Sequence, residues 1–219
     1  MRCSTSGGPS DKGGGILLVM LLGGLVSAIG LGLAGLSATE RALAGNYQVG
    51  TQLLYAAEAM ASRLVDDLSD QTAWPAALAR TSSSSFRDGG NYPVTPWGEV
   101  LDLAAATSAL QANAPIPNGA SVWRLYASGT LAVLSESSSV PGEYLVAWVG
   151  DDHADEDGDP AADSNNFIVV RAEARAMTGL KRAVQVVLQY VPAPPAGEPS
   201  SAGPPVVPGV RVVSWREVR

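Results

Sequence analysis

The chain has 219 residues, 46% of them hydrophobic and 16% charged, and its 21 acidic side chains outnumber 14 basic ones for a formal charge of −7. Nucleic acid is not an expected partner, because phosphate binding needs clustered lysines and arginines and the sequence shows no such run. The sole cysteine, Cys3, excludes an intrachain disulfide; Ser–His or Cys–His catalysis would have to run through the sole histidine, His153, in an acidic loop, and a His-ligated zinc would have too few ligands, so no enzyme is expected.

The first element is the uncharged 21-residue run Ile16–Leu36, which follows Lys12 and three glycines. A helix of that length covers the ~30 Å of a bilayer's hydrocarbon. Ser27 is its only clearly polar side chain, and a helical hydroxyl can bond back to a carbonyl one turn earlier. Gly24, Ala28 and Gly32 recur every fourth residue, a shallow stripe that a second helix can approach closely. Arg2 and Lys12 precede the run while Arg41 is the only basic residue soon after it, which places the N-terminus on the cytoplasmic side. A cleaved secretory signal is the competing reading, with Ala34, Ser37 and Ala38 as a small-residue cleavage site, but the run exceeds the usual ~7–15 apolar residues of such signals.

Beyond Leu36 the sequence stays free of proline until Pro75, and Leu53, Ala57, Met60, Leu64 and Leu68 recur at three- and four-residue steps as one apolar stripe. A single helix over Ile16–Leu68 is therefore expected, roughly 80 Å long at 1.5 Å per residue. Gly45-Asn46 and Gly50 are the places where it would bend or loosen.

The block GLAGLSATERALAGN, followed by AAEAMASRL, resembles the N-terminal region of PilX-type minor pilins of type IV pili, a family related to the tip pseudopilins of type II secretion. The matching positions are Glu40, Arg41, Ala44, Gly45, Asn46, Ala56, Ala57, Glu58 and Ala59. The resemblance implies a leader, residues 1–15, cut by a prepilin peptidase after Gly15 to leave Ile16 as the mature N-terminus, although Gly13 and Gly14 are also candidate cut sites. It further implies an assembly helix over residues 16–68, an extracytoplasmic pilin-like domain over 69–219, and other pilin subunits as partners. Major pilins carry glutamate at the fifth mature position, where this chain has Met20. A subunit without that carboxylate leaves a neighbour's terminal ammonium unpaired in an apolar filament core, which favours a place at the tip or the start of a filament.

Between Ser69 and Ala120 the serine run Ser82–Ser85, Gly89-Gly90 and the Pro93–Pro96 stretch read as surface loop, with a short helix over Val100–Gln111. Trp74 and Trp97 are expected to seal the long helix against the domain. From Ser121 the period becomes two. SVWRLYA and TLAVLS flank Ser128-Gly129 as a hairpin, and YLVAWVG, NFIVVRAEAR and KRAVQVVLQYV follow, the last two joined through Gly179. Val184, Val186 and Leu188 alternate imperfectly with Arg182, Gln185 and Gln189, so this hairpin is expected to be covered on more than one side. The fold class is α+β, a long N-terminal helix packed on an antiparallel sheet.

Asp151–Asn166 holds seven carboxylates within thirteen residues. Such a loop is either solvated or neutralised by a cation, and calcium suits its hard oxygen donors, with Asp155, Asp157, Asp159 and Asp163 as the candidate ligands. The spacing is no EF-hand, since placing Gly158 sixth puts His153 first and Ser164 twelfth; related pseudopilins do use calcium in acidic loops. The GxGxxG match Gly30–Gly35 lies inside the lipid-length run and follows no strand, so it carries no dinucleotide site. Pro192–Pro208 crosses the surface as extended chain, and Val210–Val218 returns as a closing edge strand.

The expected function is that of a minor pilin or pseudopilin subunit in initiation or tip assembly of a type IV pilus-like filament. It would be held in the bacterial inner membrane, crossing it once, and then transferred to the filament. The alternative is a permanently anchored extracytoplasmic binding domain that never polymerises.

Overall fold

The computed structural model describes residues 14–88, 90–112, 123–134, 142–152, 154–155, 157–193 and 207–218. Residues 1–13 of the expected leader, His153 and most of the proline-rich stretch lie outside these residues. The chain divides into two compact units, the first ending at Gln48 and the second running from Val49.

Helix α1 runs Gly14–Asp67 without interruption. Its first part is long and apolar enough to cross a membrane, and every residue of it up to Gln48 is exposed. The expected loosening at Gly45-Asn46 and Gly50 is not seen, since the helix passes through all three. Gly50 instead serves a close approach: a Cβ there would lie 3.3 Å from the Arg182 guanidinium, which itself pairs with Glu217 at 3.0 Å.

In the second unit the stripe foreseen on α1 is the core. Leu53, Ala57, Met60, Leu64 and Leu68 are all fully buried, and burying each of the larger ones stabilises the domain by roughly 1.5–3 kcal/mol. They face a five-stranded antiparallel sheet in simple meander order, β1 (Trp123–Thr130), β2 (Tyr144–Asp151), β3 (Phe167–Arg175), β4 (Lys181–Val191) and β5 (Gly209–Val218). Leu145, Ala147 and Val149 of β2, Ile168, Val170, Ala172 and Ala174 of β3, and Val184, Val186 and Leu188 of β4 form the helix-facing side. Ala56, Ala57 and Ala61 of α1 and Ala147, Ala172 and Ala174 of the sheet belong to the same buried cluster. Gly179 supplies the turn between β3 and β4 at φ +79°, with the Ala176 N–H donating to Leu180 O at 3.0 Å. β5 closes the sheet as its edge strand, as its alternation foretold.

The sheet is covered on both faces, which explains the imperfect alternation of β4. On the second face Tyr144, Val146, Trp148 and Val169 pack with Leu101 and Leu103, and Val187 of β4 joins them. The short helix there, α3 (Leu103–Ala112), follows two smaller turns of the chain, a 3₁₀ turn at Gln71–Ala73 and α2 (Trp74–Leu78). Asp102 starts α3 by accepting the Ala105 N–H at 2.8 Å, and the Trp148 indole donates to Thr107 Oγ1 at 2.8 Å. Trp74 seals α1 as expected, fully buried with its Nε1 donating to Leu68 O at 2.9 Å. Trp97 does not: it packs on the second face, away from α1.

The expected hairpin at Ser128-Gly129 is also corrected. β1 runs straight through both residues, which pair with Val146 and Leu145, and Leu131–Leu134 forms a short helix, α4, in place of a second strand. Gly129 is there for space, because a Cβ would lie 2.9 Å from Cζ of the buried Phe86 ring. Phe86 belongs to a stretch read as loop that lies parallel to β1, with Ser84 N–H donating to Tyr126 O, Ser128 N–H to Phe86 O and Asp88 N–H to Ser128 O. Gly129→Ala is expected to destabilise the domain by about 1–3 kcal/mol through overpacking of this ring. Chemical denaturation of the full chain in detergent checks it; an unchanged midpoint contradicts the steric account.

Candidate functional site

The residues singled out in the sequence fall in two places. Gly15, Ile16, Met20, Gly24, Ala28, Gly32, Glu40, Arg41, Gly45 and Asn46 are all exposed along α1 in the first unit, and nothing approaches Gly24 or Gly32 within 4 Å. Thr39 Oγ1 donates back to Gly35 O at 3.1 Å, so this polar step is satisfied within the helix. Glu58 lies in the second unit, half-buried on the same helix.

The acidic loop joins β2 to β3 and is built from successive side chain to backbone turns. Asp155 Oδ1 accepts the Asp157 N–H at 3.1 Å, Asp157 Oδ1 the Asp159 N–H at 2.8 Å, and Asp159 Oδ1 the Ala161 N–H at 3.0 Å. Across the loop, Ser164 donates to Asp155 from both its N–H and its hydroxyl, and Asn165 Nδ2 donates to Asp152 Oδ1 at 2.7 Å.

Two of the four nominated ligands converge. Carboxylate oxygens of Asp155, Asp157 and Asp151 lie within 4.8 Å of one another. Asp159 turns to the loop's own backbone, and Asp163 accepts the Phe167 N–H at 3.1 Å where β3 begins. Asp151, the third member, is the last residue of β2 and was not nominated. It is only 6% exposed, and burial, followed by repulsion from Asp155, pushes its carboxyl up to about 7, against the pull of the Asp152 N–H. Burial alone would raise Asp155 as well, yet its bonds from Ser164 and from the Asp157 and Asn165 N–H groups hold it below the ordinary carboxylate value. Burial raises Asp163, against the bonds it accepts from the backbone of Phe167, Asn166 and Asn165.

The three aspartates thus combine one buried carboxyl that resists ionisation, the half-buried Asp155 and the exposed Asp157, an arrangement whose mutual repulsion a hard cation would relieve. The signal that could have found Asp151 is its place at the end of an apolar strand, where a carboxylate is carried into the core by its neighbours. Comparison with family models, with curated proteins and with solved structures gives no match to this chain.

Proposed function

We propose that the chain is a minor pilin-like subunit, held in the membrane by α1 before assembly and then entering a pilus or pseudopilus at its start or tip. The observation that carries the reading is that one helix has two surfaces: an uncharged, wholly exposed apolar stretch at Ile16–Leu36, and a stripe from Leu53 to Leu68 that forms the core of the α+β domain. An anchor alone does not need its helix to continue as the spine of the domain. The resemblance at Glu40–Asn46 and Ala56–Ala59 supports the filament reading, and Met20, an exposed apolar residue where a bulk subunit carries glutamate, supports the terminal position. In this reading the exposed Gly24, Ala28 and Gly32 stripe receives a neighbouring pilin helix.

Intact mass and N-terminal sequencing of the mature chain test it. The expected mature chain begins at Ile16, and co-expression with an inactive prepilin peptidase leaves residues 1–15 attached. An uncut leader in the presence of active peptidase points to the permanently anchored binding domain, and cleavage near Ala38 points to a secretory signal; either result sinks the filament reading.

A further inference from the structure

Between α2, the chain before α3 and α3 itself lies a cleft of about 350 Å³ in the second unit. Most of its lining residues are polar, in contrast to the predominantly apolar pockets that take drug-like or lipid-like molecules. None carries a carboxylate, although the chain has 21 acidic residues against 14 basic ones. Two of the walls instead bring arginines, Arg80 and Arg87, and among the described residues neither guanidinium has a hydrogen bond or ion pair.

Both arginines stand on supports that the core fixes. Arg80 follows α2, whose Trp74, Ala77 and Leu78 are buried, and takes the left-handed conformation at φ 62° that glycine or asparagine usually occupies after a helix. The helix end is tied there by Thr81 and Ser82 N–H groups donating to Ala76 O at 2.9 and 3.1 Å. Arg87 follows Phe86 in the stretch paired with β1, so the buried ring beside Gly129 fixes the backbone from which the arginine leaves. The Arg63 guanidinium, 3.1 Å from Asp67, also donates to Ser85 Oγ at 3.0 Å, and Ser84 Oγ donates to Asp67, which ties this stretch to α1.

The opposite wall is one face of α3. Leu103 and Ala104 supply an apolar strip, and Thr107, Ser108 and Gln111 continue it as hydroxyls and an amide. Thr107 is held in place by donating to Leu103 O at 2.7 Å while accepting from Trp148. A backbone-pairing peptide finds no open strand on this wall, because it is a helix whose first amides are taken by Asn91 and Asp102. The cleft is also larger than a single inorganic anion needs. Two guanidiniums from separate walls, flanking hydroxyl and amide groups and a short apolar strip match a sugar ring that bears a carboxylate.

We propose that this cleft binds a carboxylated sugar of the uronic-acid class, its carboxylate taken by Arg80 and Arg87 and its ring lying along α3. Arg124, next to the lining residue Leu125, is buried, donates to Leu78 O at 3.2 Å, and is held below its ordinary value first by burial and then by the charge of Arg80, against the opposing charge of Asp159.

The proposal is independent of filament assembly. Titration calorimetry on the full chain in detergent micelles tests it, with D-glucuronate, D-glucose and an acetylated dialanine acid as probes. The expected result is glucuronate binding at least about tenfold tighter than either other probe, a charge-assisted contribution of about 1.4 kcal/mol or more. The Arg80→Gln, Arg87→Gln double variant loses it at an unchanged melting temperature, while Arg211→Gln, outside the cleft, keeps it. If the double variant does not fold, Asn91→Ala serves instead: its side chain lines the cleft, its backbone oxygen still accepts the Leu103 N–H, and it is expected to weaken glucuronate severalfold. Absence of glucuronate binding, equal binding of glucose, equal or tighter binding of the dipeptide acid, or binding untouched by the variants overturns the assignment.

Discussion

Trp74→Ala is expected to lower the unfolding free energy of the domain by about 3–5 kcal/mol, the largest effect of any single truncation considered. The indole is fully buried among Leu64, Leu68 and Leu78, so its removal leaves a cavity that the end of α1 and the sheet cannot both collapse into. Its Nε1 is also the donor to Leu68 O, a carbonyl at the end of α1 that the helix's own ladder does not serve. Trp74→Phe keeps most of the ring volume and loses the donor, and about 1–2 kcal/mol is expected. Denaturant unfolding of the full chain in detergent, followed by near-ultraviolet circular dichroism, separates the two variants. A loss below about 1 kcal/mol for the alanine variant would show that the indole is not the latch between helix and domain.

The second large effect is a pH dependence carried by Asp151. Its folded carboxyl titrates at about 7 against 3.8 for the free side chain, so between those values the folded protein binds more protons than the unfolded chain. Stability therefore falls as pH rises from about 4 to about 7 and is flat with respect to this group above that range, on the order of 2–4 kcal/mol in all. Measured in chelator, Asp151→Asn is expected to remove that slope and to be the more stable protein at pH 8. A slope identical in the two proteins would assign the effect elsewhere. Calcium distinguishes the two readings of the loop in the same experiment. A melting temperature at pH 8 that rises with millimolar calcium, and fails to rise in Asp151→Asn or in Asp155→Ala with Asp157→Ala, makes the cluster a cation site. Superimposable curves with and without calcium make it a solvated cap on the β2–β3 connection.

The elements with long, strict periods were legible in the residues. The three- and four-residue stripe from Leu53 to Leu68 is buried to the last member, and the β3–β4 hairpin turns at Gly179 where the sequence says it should. What misled was a residue type with two uses. Glycine beside serine marks a turn when the chain needs an unusual φ, yet Gly129 lies within strand β1 because an aromatic ring from forty-three positions earlier occupies the space of its side chain. Spacing carries no information about such a neighbour. The same holds for Trp97, whose face of the sheet is decided by the course of the chain before α3, and for the cleft, which draws Arg80, Arg87 and α3 from three separate segments. In the acidic loop, spacing points to Asp155, Asp157, Asp159 and Asp163, all of which accept local backbone N–H groups, and it is burial that singles out Asp151, enclosed because β2 is.

The meander has a consequence for how the domain comes into being. Each of the four strand pairings joins strands that are neighbours along the chain, and the helix that covers their common face precedes them all. No strand must be threaded between two that are already paired. A chain that emerges N-terminus first can lay α1 down as a template and add β1 through β5 to a free edge in the order of their synthesis, each new strand pairing with the one before it. Vectorial delivery and topology then run in the same direction, and β5, the last strand to arrive, completes the sheet without disturbing anything built before it.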